Sequence, residues 1–319
     1  ARRDVEVARA FVARGVPEAQ VVTLLDERAT RTVVLEALAR QADATPVGGT
    51  LIFYYAGHGT RTREGDIAYV AFDTYGETAT HSGLSITALF ETLAPRVVGK
   101  RVLLFADCCH SGGLGDLASR LVARGAVAAS LTSADASNLS TGNWTYSQVL
   151  LEGLRGDACL DANGDGQIGI TELDASVKDA MRYREGQRSG ASLGALPPSL
   201  AISTRVGSAR TGALAGRFMR AANGQVVRVE RDDGTTATIR AYQYASYRDT
   251  EVPLASLTPI TATRYPVGAS LSVAWGGRVW PANVTATDGD FAYITYPGWP
   301  SYWDEWILED RVRAVIALP

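Results

Sequence analysis

The sequence predicts an α/β domain with a mostly parallel sheet, followed by a smaller all-β part. Two apolar, β-rich runs, LIFYYAGHG ending at Gly59 and VLLFADCCHSGG ending at Gly113, each stop at a small-residue turn, as buried parallel strands do. Helical periodicity continues as far as PPSLAIS, residues 197–203. Beyond that segment short β-rich runs alternate with Gly, Asp and Asn turns, so the fold class changes there.

Both runs carry reactive residues to the carboxyl edge of the predicted sheet, where α/β proteins place their sites. His58 lies near the end of the first run, and Cys109 lies near the end of the second run, 51 residues later. A thiol beside an imidazole forms a nucleophile with its base. The alternative is that both are ordinary core residues, since free cysteine is often buried. Pleating lets only one of Cys108 and Cys109 face a substrate. His81, in a polar stretch, is expected on the surface.

These two runs resemble the motifs of the caspase-like cysteine peptidases, and within them the metacaspases and their bacterial relatives. YAGHG is similar to the metacaspase histidine motif, and DCCHSG is similar to the cysteine motif, in which the nucleophile directly precedes a histidine. AVAASLTSADA and NWTYSQVLLEGLRGD continue the resemblance. It implies a caspase-like α/β/α sandwich, and we predict that this domain spans residues 1–205.

The resemblance also implies the catalytic groups. Cys109 would be the nucleophile and His58 the group that takes and returns the proton. The backbone N–H groups of Gly59 and Cys109 would stabilise the oxyanion. The sequence departs from the QAC form of caspases, so specificity for aspartate is not expected. No third catalytic residue is evident.

An acidic S1 pocket that accepts arginine or lysine is a further implication of the resemblance. Asp107 stands two residues before the nucleophile, and residues two apart on a strand share a face, which agrees with this role. The second aspartate of the family lies at the start of the first helix, where this chain has Asp4. Two carboxylates give a guanidinium charge-assisted hydrogen bonds. The alternative for Asp4 is a helix N-cap.

The start of the chain and its composition indicate partners and location. The family's first core strand is expected upstream of Asp4, and the chain opens with Ala1, so a cleaved N-terminal segment of the same protein is a candidate partner. Three cysteines do not suggest a disulfide framework, and no signal peptide or membrane-spanning run is present, which favours the cytoplasm. A net charge of −3 argues against nucleic-acid binding.

The segment DANGDGQIGITE fits the twelve-residue EF-hand calcium loop. The positions that supply oxygen ligands are held by Asp161, Asn163, Asp165, Gln167 and Glu172. The alternative is a polar turn with Asx and N-cap roles. Ca²⁺ is therefore the predicted cofactor, and a single loop without a partner loop leaves both a regulatory and a structural role open.

The C-terminal third is predicted to form two small SH3-like β barrels, at residues 211–262 and 263–319. The second barrel contains VGASLSVAWGGRVWPANV and YITYPGWPSYWDEWILEDRV, and it resembles the Tudor-knot and chromo-barrel family. In that family an aromatic cage receives a methylated side chain through cation–π attraction. By motif position the cage residues are Trp280, Tyr296, Trp299 and Trp303.

An alternative assigns these rings to the core and rim of the barrel, because small barrels need large side chains for a core. Trp306 is expected in that core. The barrels are expected to dock a protein partner or an inhibitor. Arg205 and Arg210 lie in the connector before them and are candidate sites of processing.

The leading functional prediction is a cysteine endopeptidase that cleaves protein substrates after arginine or lysine, regulated by calcium and by processing. The alternative is a catalytically silent or self-cleaving, calcium-responsive scaffold whose barrels dock a protein partner. The presence of both catalytic motifs favours the peptidase.

Overall fold

The computed structural model of the protein describes residues 2–75, 82–243 and 246–319, and the predicted surface residue His81 lies outside these ranges. The helices are α1 (Arg3–Ala13), α2 (Arg31–Ala44), α3 (Ile86–Leu93), α4 (Gly113–Val122), α5 (Thr145–Arg155) and α6 (Ile170–Ala180). A π-helical segment, Met181–Glu185, continues α6. Among the described residues no helix is both long enough and apolar enough to span a bilayer.

In its described ranges, 3–75 and 82–204, the α/β domain contains nine strands. They are β1 (Thr50–Ala56), β2 (Gly59–Arg61), β3 (Ile67–Tyr69), β4 (Leu84–Ser85), β5 (Arg101–Asp107), β6 (Val127–Thr132), β7 (Gln167–Gly169), β8 (Gly190–Ser192) and β9 (Ala201–Thr204). The main sheet has the order β1-β5-β6-β8, in which β1, β5 and β6 are parallel and β8 is antiparallel. The predicted α/β domain with a mostly parallel sheet is confirmed.

Helices cover both faces of the main sheet because alternate residues of its central strand are apolar on both sides. Leu103 and Phe105 of β5 pack in one core with α1, α5 and α6. Val102 and Leu104 pack in the other core with α2, α3 and α4. The domain therefore has three layers, and the carboxyl ends of β1 and β5 are left at one uncovered edge.

Two five-stranded antiparallel sheets form the C-terminal third. β-sheet I consists of β10 (Phe218–Arg220), β11 (Val226–Asp232), β12 (Thr236–Gln243), β13 (Ser246–Pro253) and β14 (Thr258–Pro259). β-sheet II consists of β15 (Ser270–Trp275), β16 (Arg278–Asp288), β17 (Phe291–Thr295), β18 (Glu305–Ile307) and β19 (Val312–Ala317). The predicted change to β structure is confirmed. In the described part of both sheets the two edge strands do not pair, so the SH3-like barrel assignment stays a prediction.

β-sheet II packs against the end of α6 through a cluster of aromatic residues. Phe291, Tyr293 and Trp306 are buried together, and Tyr183 of the π-helical segment packs against them. The Tyr183 hydroxyl donates to Asp290 Oδ2 at 2.5 Å. Trp306 is therefore buried, as expected, but at the contact with the α/β domain. The separate core of β-sheet II is built from aliphatic side chains and Tyr265 and holds no tryptophan.

Candidate active site

The two sequence motifs meet at the carboxyl edge of the main sheet. Ala56 of β1 lies opposite Asp107 of β5, and the Gly57 N–H donates to the Asp107 carbonyl oxygen at 3.3 Å. Two residues later the chains approach so closely that a Cβ atom at Gly59 would collide with the carbonyl oxygen of Cys109. Only glycine fits there, so the approach of the two loops explains why the histidine motif has glycine at this position.

Cys109 is the accessible thiol of the adjacent pair. Its side chain is half-buried, and its sulfur accepts the Ser140 N–H at 3.3 Å and lies 3.7 Å from the Ser140 carbonyl oxygen. Cys108 is 2% exposed in the core on the opposite face, and burial raises the pKa of its thiol. The raised pKa of Cys108 and its burial both argue against it as the nucleophile, and Cys109 is the accessible candidate. Sequence reasoning missed Ser140, because only the fold brings it to the sulfur.

His110 shapes the turn that follows the nucleophile. Its backbone has φ of 55°, in the left-handed region that a non-glycine residue rarely adopts. Its N–H donates to the Asn138 carbonyl at 2.9 Å, and its Nδ1 lies 3.0 Å from the Ala136 carbonyl oxygen. Burial lowers the pKa of its imidazole. His110 thus ties the loop of residues 133–141 to the turn at Cys109.

His58 is held at the same edge by its backbone. Its carbonyl oxygen accepts the Val70 N–H and the Tyr55 hydroxyl, each at 2.9 Å, and its side chain is exposed. Within the described part of the chain no hydrogen bond joins the His58 imidazole to Cys109. The geometry therefore places the histidine motif beside the nucleophile and leaves the imidazole in solvent.

The two predicted oxyanion donors, the backbone N–H groups of Cys109 and Gly59, differ in what surrounds them. The Cys109 N–H has no acceptor among the described residues. Because the Val70 N–H bonds the His58 carbonyl, Gly59 and Tyr69 form a non-hydrogen-bonded pair of the β2–β3 ladder. The Gly59 N–H therefore makes no hydrogen bond within that ladder.

Asp107 is 8% exposed and lies at the end of β5. Its Oδ2 accepts the Ser147 hydroxyl at 2.6 Å and the Ser147 N–H at 3.2 Å, and burial raises the pKa of this carboxyl to about 6. The Tyr54 hydroxyl lies 2.7 Å from the Ser147 hydroxyl oxygen. Ser147 therefore orients the carboxylate, a role that the sequence did not reveal.

Asp4 lies in the first turn of α1, one residue after the helix begins, so it does not cap the helix. The Arg2 guanidinium contacts Asp4 Oδ2 at 2.6 Å and Asp26 at 2.8 Å. Burial, followed by the charges of Asp107 and then Asp4, raises the pKa of Tyr54. The charges of both predicted pocket carboxylates thus act on Tyr54, and Asp4 already pairs with a guanidinium.

The predicted calcium loop has an ordered hydrogen-bond pattern. Asp161 accepts the N–H groups of Gly164 and Gly166 at 2.9 and 3.1 Å. Glu172 accepts the N–H groups of Ala162 and Gly169 at 2.7 and 2.8 Å. Asn163, Asp165 and Gln167 lie on the exposed part of the same loop between α5 and α6. Carboxylate and amide oxygens, with the backbone carbonyl oxygen of Gln167, are the kind of ligands that Ca²⁺ prefers.

A guanidinium already occupies part of this loop. Arg205, which follows β9, forms an ion pair with the fully buried side chain of Asp161. The Arg205 N–H also donates to the Gly166 carbonyl at 2.9 Å. The loop therefore binds one positive group of the chain itself, at the aspartate that would hold a metal ion at the first EF-hand position.

A second group of possible metal ligands consists of Asp157, Cys159 and Glu230. Arg240 approaches Asp157 at 2.6 Å and Glu230 at 3.5 Å, and burial raises the pKa of the Cys159 thiol. Two buried arginines, Arg228 and Arg240, therefore neutralise these carboxylates, and the thiol stays protonated. This arrangement is an ion-pair network between α5 and β-sheet I.

The predicted cage residues form an aromatic cluster on one face of β-sheet II. Trp280 and Trp299 have ring centroids 5.3 Å apart, and those of Trp299 and Trp303 are 6.0 Å apart, both edge to face. The Tyr296 hydroxyl donates to Glu305 Oε1 at 2.7 Å. The cluster also contains Trp275, 5.5 Å from Trp303, which sequence reasoning did not include. Tyr296 packs against the core of β-sheet II, and the tryptophans of the cluster lie outside that core, so both the cage and the core-and-rim interpretations stay predictions.

Comparison with known proteins places this site in a family. The family model of the caspase domain matches residues 6–252, which includes both motifs and most of β-sheet I. No curated protein matches the chain significantly. Among solved structures, protein GSU0716 from Geobacter sulfurreducens is 20% identical over 60% of this chain and 81% of that chain, with a TM-score of 0.41. Since the family match covers more than half of the 319 residues, the chain belongs to the caspase domain family.

Proposed function

We propose that the protein is a cysteine endopeptidase that uses Cys109 and His58 to cleave peptide bonds after arginine or lysine. The observation that carries this proposal is the close approach of Gly59 to Cys109, which sets the histidine motif against the accessible thiol. The family match supports the peptidase class. The dyad and the specificity are the further steps proposed here.

In the proposed mechanism His58 removes the proton from the Cys109 thiol, and the Ser140 N–H stabilises the thiolate. The sulfur attacks the scissile carbonyl carbon, and the oxyanion accepts hydrogen bonds from the N–H groups of Gly59 and Cys109. The protonated imidazole then donates its proton to the leaving amine. Water, deprotonated by His58, hydrolyses the thioester and releases the second product.

Specificity for a basic residue would come from Asp107 and Asp4. A buried carboxylate without a cationic partner is costly, and a substrate guanidinium would supply that partner. The pairing of Arg2 with Asp4 supports this proposal, because it shows that the position accepts a guanidinium. Ser147 would hold the Asp107 carboxylate in position for it.

We also propose that the loop of residues 161–172 binds Ca²⁺. Its all-oxygen donor set suits a hard cation, and the pairing of Asp161 with Arg205 supports binding of positive charge there. The residues that would hold the ion are Asp161, Asn163, Asp165, Gln167 and Glu172. A bound ion would neutralise the loop carboxylates and order the connection between α5, which positions Ser147, and α6.

The test is hydrolysis of matched fluorogenic peptides that end in Arg, Lys, Asp or norleucine, with and without calcium. We expect cleavage after Arg and Lys that is lost in Cys109→Ala and in His58→Ala. Cys108→Ala is the matched control, since it removes the neighbouring buried thiol and should keep activity. Cleavage that survives in Cys109→Ala, or a preference for Asp, would contradict the proposal. A chain that cleaves none of the peptides would favour the scaffold alternative.

A further inference from the structure

A cavity of about 320 Å³ lies between the α/β domain and β-sheet II. One wall is the segment of residues 138–141 together with Glu185 and Gln187. The other wall is the aromatic cluster, with Asp304 and Glu305 beside it. The volume is at the lower end of the range for sites that bind small groups, and it suits a single extended side chain.

The cavity adjoins the nucleophile. Ser140, one of its lining residues, contacts the Cys109 sulfur through both its N–H and its carbonyl oxygen. The Asn138 side chain donates to the Tyr293 hydroxyl at 3.2 Å and to the Asp304 carbonyl at 3.4 Å. These bonds fasten the loop next to the nucleophile directly to β-sheet II. A peptide held at Cys109 would therefore pass close to the mouth of the cavity.

Three tryptophans of the aromatic wall are partly exposed and lie outside the core of β-sheet II. Trp275, Trp299 and Trp303 are 44%, 45% and 36% exposed, and the sheet has its own aliphatic core. Large aromatic faces left this accessible beside a catalytic residue are typical of a binding surface. The faces of such rings attract cations.

The charged residues that line the cavity also favour binding of a cation. Three carboxylates line it, those of Glu185, Asp304 and Glu305, and its described lining contains no lysine, arginine or histidine. Glu185 accepts hydrogen bonds from Thr141 and Asn143, and Glu305 pairs with Arg311 from outside the lining. The Asp304 carboxylate has no hydrogen-bond or ion-pair partner among the described residues, and burial raises its pKa. The charge of Arg188, which lies outside the lining, lowers that pKa, and a cation in the cavity would bring a further positive charge to the carboxylate.

We propose that this cavity is a second substrate subsite, which binds a cationic side chain of the peptide at a position other than the one before the cleaved bond. Asp107 and Asp4 do not line it, so it is separate from the proposed S1 pocket. β-sheet II would thus form one wall of the catalytic cleft and bind part of the substrate. This inference rests on the proposed function of Cys109 as the peptidase nucleophile.

The first test measures binding to the Cys109→Ala chain, so that it does not depend on turnover. Each peptide has Arg before the scissile bond and carries norleucine, Lys, trimethyllysine or Arg at one of the positions P4 to P2 or P1′ to P2′. We expect one position at which a cationic residue lowers Kd about tenfold relative to norleucine. That gain should be lost in Trp303→Ala and in Trp299→Ala and reduced in Asp304→Asn.

The control variant is Phe72→Ala, which removes an aromatic side chain that is 63% exposed and distant in sequence from the cavity lining. It should leave the positional preference unchanged. The trimethyllysine peptides separate binding to the aromatic faces from hydrogen bonding to the carboxylates. A quaternary ammonium keeps the charge that the rings attract and cannot donate a hydrogen bond to a carboxylate. If the carboxylates take part, Arg and Lys should bind more tightly than trimethyllysine in the parent chain and equally in Asp304→Asn.

The second test repeats the peptides as substrates of the active chain and compares kcat/KM. If the parent enzyme discriminates only at the residue before the cleaved bond, the subsite proposal is wrong and the proposed function stands. If Trp303→Ala lowers the preference for Arg at that same residue, the cavity belongs to S1 and the proposal is equally wrong. If the chain binds cationic peptides through Trp303 and never cleaves them, the cavity binds cations, but the peptidase proposal is wrong and the substrate-subsite proposal is wrong with it.

Discussion

Asp107 illustrates how one residue couples burial to specificity. Burial raises the pKa of its carboxyl to about 6 from the ordinary 3.8, so it ionises close to neutral pH. Above about pH 6 the buried charge is unfavourable unless a cation pairs with it, which a basic substrate residue would do. The same carboxyl at an exposed position would stay ionised to much lower pH and would bind a cation less strongly.

We predict that KM for an Arg peptide rises as the pH falls through about 6, because protonated Asp107 no longer attracts the guanidinium. Asp107→Asn should have a high KM at every pH and should lack this step. A KM that does not depend on pH in the parent would contradict the S1 assignment.

The raised pKa of Asp107 should also make the stability of the fold depend on pH. Since the folded pKa is above the unfolded one, the cost of ionisation to stability is present above about pH 6 and is lost as the pH falls toward 4. Asp107→Asn should therefore unfold at higher urea concentration than the parent at about pH 7.5, and at nearly the same concentration at about pH 4.

Gly59 is the second position at which one residue decides the site. We predict that Gly59→Ala lowers kcat/KM about a hundredfold, because a Cβ atom there collides with the Cys109 carbonyl and separates the two motifs. Gly194→Ala is the matched control, since no atom lies within 4 Å of a Cβ at that position. Peptide hydrolysis measures both variants, and circular dichroism checks that each is folded. Full activity in Gly59→Ala would show that the close approach is not required.

At the scale of elements, the loop between α5 and α6 is coupled to the strand that follows. The loop contains the five predicted calcium ligands, whereas Arg205, after β9, pairs with the first of them. Arg205 and Asp161 are 44 residues apart in sequence, and the pairing of β7 with β9 brings them together. Calcium and the guanidinium would therefore compete for Asp161.

We predict that Arg205→Gln raises the affinity for Ca²⁺ about tenfold, because the ion no longer displaces a charged partner from Asp161. Glu172→Gln should weaken binding in both backgrounds, since it removes the bidentate ligand of the loop. Isothermal titration calorimetry measures each affinity. Arg231→Gln, which alters an exposed ion pair with Glu251, is the control. Unchanged or weaker binding in Arg205→Gln would contradict the competition.

At the scale of the whole molecule, buried charges fasten β-sheet I to the α/β domain. Glu152 of α5 is 2% exposed and contacts Arg228 at 2.9 Å and Arg240 at 3.2 Å. Phe218 of β-sheet I is also buried in the core that contains α1, α5 and α6. The family match, which continues to residue 252, agrees with this close association. The predicted domain boundary at residue 205 stays a prediction.

We predict that Glu152→Gln lowers the free energy of unfolding by about 1–3 kcal/mol, because it removes the buried carboxylate that Arg228 and Arg240 share, while other carboxylates of the network still pair with both guanidinium groups. Urea denaturation measured by tryptophan fluorescence gives the change. Glu251→Gln is the matched control, since its pair with Arg231 is exposed and contributes little. An unfolding midpoint in Glu152→Gln equal to that of the parent would show that the network is not needed for stability.

Much of the site follows from local patterns. The two apolar runs end where β1 and β5 end, and their parallel pairing brings His58 and Cys109 to one edge. The separation of a buried Cys108 from an accessible Cys109 is as predicted, but β5 ends at Asp107, so the turn after the strand produces it rather than pleating. Ser140 and Ser147 could not be found this way, since they come from a loop and a helix whose distance from β5 depends on packing.

The sequence by itself determined the α/β class, the all-β C-terminal third and the two motifs, because strand and helix periodicity and turn residues act over a few neighbouring positions. The tertiary structure alone decided which groups meet across long separations. It placed Arg205 on Asp161, joined α5 to β-sheet I through buried ion pairs, and set the aromatic cluster opposite the loop at Ser140. Such contacts arise when preformed surfaces pack together, and no local pattern in the chain encodes how those surfaces fit.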